Sequence, residues 1–65
     1  MYVSAGTIKK ILKEAGAQRV SADAADEMRK YLNRLAFQTA QKAVKLSKHA
    51  KRKTVELSDI RLACD

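Results

Sequence analysis

Sixty-five residues with fourteen Lys and Arg against seven Asp and Glu carry a formal charge of +7, with one cysteine, one histidine and no proline. A chain this short buries little surface and is usually supported by a disulfide, a metal or a partner. Cys64 alone cannot form an internal disulfide and, with His49, falls short of a structural zinc set, so association is the expected support and no cofactor or metal is implied.

The first helix is read from Ile8, Ile11, Leu12 and Ala15, spaced i, i+3, i+4, i+7 as on the apolar stripe of an amphipathic helix. Ser4 or Thr7 suits its start, and Gly16 is placed to end it in the left-handed conformation. Lys9, Lys10 and Lys13 fall on its polar side. A loop, Arg19-Val20-Ser21, follows, and Ser21 is a good N-cap for a second helix with Asp23, Asp26 and Glu27 in its first turns.

That second helix is predicted to run from Ala22 to Ala50, without glycine or proline, and to end among Lys45, Lys48 and His49. Met28, Leu32, Leu35, Thr39, Ala43, Leu46 and Ala50 recur in steps near three and four, with Ala36, Ala40, Val44 and Ser47 as a second row and Tyr31 and Phe37 assigned to the core. A rod of that length is about 43 Å long, whereas a compact globule of this size is roughly 28 Å across. Two short helices cannot cover so much apolar surface. The simplest solution is two chains crossing at their long helices, an obligate homodimer. A monomeric three-helix bundle would leave Leu and Met positions open to water.

After a second loop, Lys51-Arg52-Lys53-Thr54-Val55, a short third helix begins near Leu57-Ser58-Asp59 and presents Ile60, Leu62 and Ala63. Arg19-Val20 and Thr54-Val55 are β-prone and are candidates to pair. The fold class is therefore all-α, short helix, long helix, short helix, as one domain over residues 1–65.

The charge is uneven: residues 1–20 carry +3, 21–41 are neutral and 42–65 carry +4. Such an excess points to nucleic acid, an anionic membrane or an acidic protein. No apolar run approaches a membrane span, no secretory signal is visible, and no helix pairs a basic face with exposed large apolar residues, so a soluble intracellular protein without a membrane partner is expected. Each basic loop lies at an end of the long helix. Ser21 opens that helix, where free N–H groups and the helix dipole favour an anion. Arg19 lies beside it, and Arg52, Lys53 and Thr54 form the matching set at the other end. In an antiparallel dimer the first loop of one chain would neighbour the second loop of the other, with Lys9, Lys10 and Lys13 supplying a central clamp. Three separated phosphate clamps on one convex face suit a bent duplex. No nucleophile with a matched base is apparent, so no enzyme is expected.

These residues carry a resemblance. Ala15-Gly16-Ala17-Gln18-Arg19-Val20-Ser21, His49-Ala50-Lys51-Arg52-Lys53-Thr54-Val55 and Ser58-Asp59-Ile60-Arg61-Leu62-Ala63 look like the first loop, second loop and third helix of archaeal-type histones, the tail-less histone-fold proteins. The similarity runs over essentially the whole chain. It implies the histone fold in an intertwined handshake homodimer, binding double-stranded DNA in a nucleoid-associated role in the cytoplasm, and assembling into tetramers or longer forms on DNA. Pairing with other histones is implied as well.

Carried over by position, the resemblance makes Arg19 a minor-groove arginine without base-specific contacts, held by Thr54 of the second chain. Arg52 and Asp59 match an intrachain ion pair. Lys53, Thr54 and the backbone around Ser21 match phosphate contacts, and Lys13 the first-helix contact. Leu46, His49, Asp59 and Leu62 match the surface where two dimers meet, and Gly16 the small residue at which successive superhelical turns approach. Lys51 stands where glycine is usual in this family, Val3-Ser4-Ala5-Gly6 replaces the usual N-terminal prolines, and the chain stops at Asp65, before basic residues often found beyond.

Two other classes share part of this pattern. A histone-fold heterodimerisation subunit of a transcription complex would share the core but usually retain fewer loop arginines. A sequence-specific helix-turn-helix regulator needs a recognition helix rich in Arg, Asn and Gln, and the third helix offers Arg61 alone.

Overall fold

The computed structural model describes residues 2–65 and holds three helices: α1 (Ala5–Glu14), α2 (Ala22–His49) and α3 (Leu57–Cys64). The chain forms two compact units, one ending at Arg34 and the other starting at Leu35, so the division falls inside α2 and not at a linker.

In the first unit, Ser4 is extended and its Oγ accepts the Thr7 N–H at 3.2 Å, which satisfies one of the donors left open at a helix start. Ahead of this cap, the Val3 N–H donates to Asn33 Oδ1 at 2.8 Å and ties the N-terminal segment to α2. The end of α1 is a Schellman closure: the Gly16 N–H reaches the Lys13 carbonyl and the Ala17 N–H the Leu12 carbonyl, both at 3.0 Å. Gly16 has φ 118 and nothing within 4 Å of where a Cβ would stand, so backbone conformation, not crowding, requires glycine there. Ile8 and Ala25 are fully buried in this unit, Leu12 is half-buried, and Ile11 remains exposed.

Ser21 caps α2 as its sequence suggests, with Oγ accepting the Ala24 N–H at 3.1 Å. The helix runs 28 residues and closes with a second Schellman motif, the Lys51 N–H on the Lys48 carbonyl and the Arg52 N–H on the Ser47 carbonyl, each at 2.9 Å. Lys51 occupies the left-handed position, at φ 60. In this second unit Ala43, Ser47, Asp59 and Ala63 are buried, and the Ser47 hydroxyl donates to the Val44 carbonyl at 2.9 Å. Glu56 is the N-cap of α3, and its N–H donates to Asp59 Oδ2 at 2.8 Å.

Two expectations are corrected within the single chain. Among the described residues there is no strand: Arg19-Val20 and Thr54-Val55 are irregular. Pieces of two residues offer few ladder bonds, and the Thr54 carbonyl already accepts from Arg52 Nη1 at 3.0 Å. Tyr31 and Phe37, assigned to the core by their apolar helix positions, are 53% and 49% exposed. Periodicity marks a face as apolar but does not say whether one chain has enough mass to cover it.

Candidate nucleic-acid interface

The first unit contributes a helix face and a cap. Lys9, Lys10 and Lys13 are all exposed on α1, Gly16 is exposed at its closure, and Arg19 is exposed two residues before the Ser21 cap. Ser21 Oγ takes the third N–H of α2; by helix geometry the N–H groups of Ala22 and Asp23 have no acceptor within the helix. A cation, a hydroxyl and a helix start carrying N–H groups are thus adjacent along four residues. The chemistry suits an anionic oxygen at the helix end, with a guanidinium free to extend past it.

The second unit builds its loop around one carboxylate. Arg52 meets Asp59 in a two-pronged pair, Nη1 donating to Oδ2 and Nη2 to Oδ1, both at 2.8 Å. Arg52 Nη1 also donates to the Thr54 carbonyl, and Glu56 lies 3.4 Å away as a further counter-charge. Asp59 is only 3% exposed and accepts from the Glu56 N–H as well, so its two oxygens take three bonds. The Arg52 guanidinium, foremost by these hydrogen bonds, and then the Glu56 N–H hold the Asp59 carboxyl down at a pKa of about 2, against a small opposing effect of burial. Arg52 is drawn into the loop's own architecture, while its neighbours Lys51, Lys53 and Thr54 are exposed.

The residues matched to a dimer–dimer surface are placed differently from one another. His49 is exposed in the last turn of α2, Leu46 is half-buried, Leu62 is 62% exposed on α3, and Asp59 is covered within its own chain. Among the described residues no group of three His, Cys, Asp or Glu is placed to hold a metal, and no helix is long and apolar enough to cross a membrane. Cys64 is an exposed free thiol.

Several contacts were not anticipated from sequence. Asp26 pairs with Arg29 at 2.5 Å and with Lys30 at 3.2 Å, and the Arg29 bond followed by the Lys30 bond lowers its carboxyl below the ordinary value. Their i, i+3 and i, i+4 spacing was a readable signal. Arg34 lies over the Tyr31 ring, 5.9 Å from its centre.

A short, a long and a short helix, joined by two loops that each present cations beside a helix end, define a histone-fold protein. The chain belongs to the family described as histone-like transcription factor (CBF/NF-Y) and archaeal histone, whose family model matches residues 1–64. It is 45% identical over 56 residues to an archaeal histone of Thermococcus zilligii, HAN1, covering 86% of this chain and 84% of that protein. It is 50% identical over 54 residues to probable archaeal histone 3 of Methanocaldococcus jannaschii, covering 83% of this chain and 81% of that protein.

Proposed function

We propose that this chain is an architectural chromatin protein that binds and wraps or bends double-stranded DNA with little sequence preference. It acts as a homodimer in the cytoplasm, on the chromosome. The observation that carries the reading is the second loop, where the Arg52–Asp59 pair holds a fixed turn from which Lys53 and Thr54 face solvent. Such a turn offers cations and a hydroxyl to a phosphate backbone and no base-reading surface. Lys9, Lys10 and Lys13 on α1 and the Arg19–Ser21 cap supply the remaining phosphate contacts, with Arg19 directed to the minor groove. Arg52 serves the interface by shaping the loop.

Dimerisation is supported by what the single chain leaves open. Tyr31, Leu35, Phe37, Leu57 and Leu62 are all exposed, an amount of apolar surface that a second copy crossing at α2 would cover. Further assembly uses Leu46, His49 and Leu62, with Asp59 acting through the loop it anchors and Gly16 allowing close approach of successive turns.

The test is titration of random and chosen duplexes across a salt series, followed by nuclease footprinting. Affinity is expected to fall steeply with salt by counterion release and to differ little between sequences, with protected lengths that step with assembly. No binding to any duplex at about 50 mM salt would end this reading. A second reading, a heterodimerisation module within a transcription complex, is favoured by the family description, which covers transcription factors alongside histones. Sedimentation of the protein alone separates the two, because a module of that kind does not self-associate strongly.

A further inference from the structure

Two helices of this chain end on the same backbone motif, and only one of them uses glycine. Gly16 closes α1 and Lys51 closes α2, each with one N–H returning three residues and the next returning five. Lys51 is the one non-glycine residue at positive φ among the described residues. In that conformation a Cβ crowds the backbone, and glycine would close the helix without strain, as it does sixteen residues into the chain.

Nothing within the fold accounts for the lysine. It is exposed, and among the described residues its side chain makes no hydrogen bond or ion pair. Lys48 and His49 already occupy the last turn of α2, so the negative end of the helix dipole has its counter-charge. What the position does offer is a cation on a rigid base. Two backbone bonds fix the turn on its helix side, and the Arg52–Asp59 pair with the Thr54 carbonyl fixes it on the loop side. Lys51 and Lys53 flank that pinned arginine, both open to solvent.

We infer that Lys51 is itself a phosphate-binding residue, an added cation of the second loop that grips the duplex backbone, and that its strained backbone is kept for that contact. The inference rests on the DNA-binding reading above. It has a signature that a merely solvated lysine lacks, since relieving the strain and removing the contact push stability and affinity in opposite directions.

The experiment uses the full chain with a random-sequence duplex, over roughly 50 to 200 mM salt. Wild type is compared with Lys51→Gly, with Lys51→Asn, a neutral residue that tolerates the left-handed turn, and with Lys51→Arg. The Gly and Asn variants are expected to show a shallower dependence of log affinity on log salt, by about 0.9 for each loop engaged. The wild-type advantage then shrinks about threefold per contact across that salt range. The Arg variant keeps the wild-type slope, and the Gly variant melts no lower than wild type. Wild-type slopes in the Gly and Asn variants overturn the inference while the DNA-binding reading stands, and a lowered melting point for Lys51→Gly overturns it too by giving the lysine a structural role. Absence of binding by wild type removes both.

Discussion

Asp59 shows how much one side chain does in this protein. It is the acceptor for both prongs of Arg52 and for the Glu56 N–H, so it joins the second loop to the start of α3 and closes the helix cap at once. Its folded pKa, about 2, lies below the ordinary 3.8. A depressed carboxylate stabilises the fold fully above its unfolded value, and that contribution fades as acid takes pH from about 4 towards 2. Melting points measured across this window should therefore fall in wild type. Asp59→Asn, which cannot titrate, is expected to be less stable at neutral pH and to converge on wild type as the pH drops; a constant gap between the two would remove Asp59 as the acid-sensitive anchor. Lys51→Gly should stabilise the folded protein by up to about 1 kcal/mol, read in moderate salt, where the loss of a cation near the helix end is screened. Arg19→Ala is expected to leave the melting point unchanged and to weaken binding on all duplexes alike, with a shallower salt dependence. Unaltered affinity would reject the minor-groove role.

At the scale of elements, the three helices were legible because their signals are local. Ser4 and Ser21 each accept a backbone N–H from three residues on, and Gly16 stands in the left-handed region, as chain position and residue type imply. Ser21→Ala should cost about 1 kcal/mol, seen as a lower melting point at equal protein concentration. The rest was harder to read. The Val3–Asn33 tether joins residues thirty apart, and nothing in either neighbourhood announces it. The cap formed by Asp59 on Glu56 was hidden behind the ion-pair role that the family resemblance had suggested for it. The interface cations were visible as charge, yet their division of labour was not: sequence grouped Arg52 with Lys53, and geometry turns Arg52 inward and leaves Lys53 exposed. That distinction depends on which guanidinium meets a buried carboxylate, a tertiary fact.

For the whole molecule, each compact unit has a small buried centre and open apolar side chains. Ile8 and Ala25 are buried in one, Ala43 and Ala63 in the other, while Leu57 and Leu62 are each more than 60% exposed. Burial that is incomplete in one chain makes folding and association a single equilibrium, so the melting point should rise with protein concentration. Sedimentation at micromolar concentration is expected to give twice the chain mass, and a single-chain mass with full helicity would contradict the homodimer. On DNA, His49→Ala should reduce cross-linked species larger than dimers while dimers persist, and an unchanged ladder would remove His49 from the contact between dimers.

The half-open Tyr31 ring, with the Arg34 guanidinium above it, has a practical corollary. With no tryptophan and two tyrosines in the chain, ultraviolet emission belongs to Tyr2 and Tyr31 alone. Whatever closes over the middle of α2 alters the surroundings of the second of these, so the protein carries its own dye. Tyr2→Phe would isolate that signal, and a simple dilution series would then follow the meeting and parting of chains without any label.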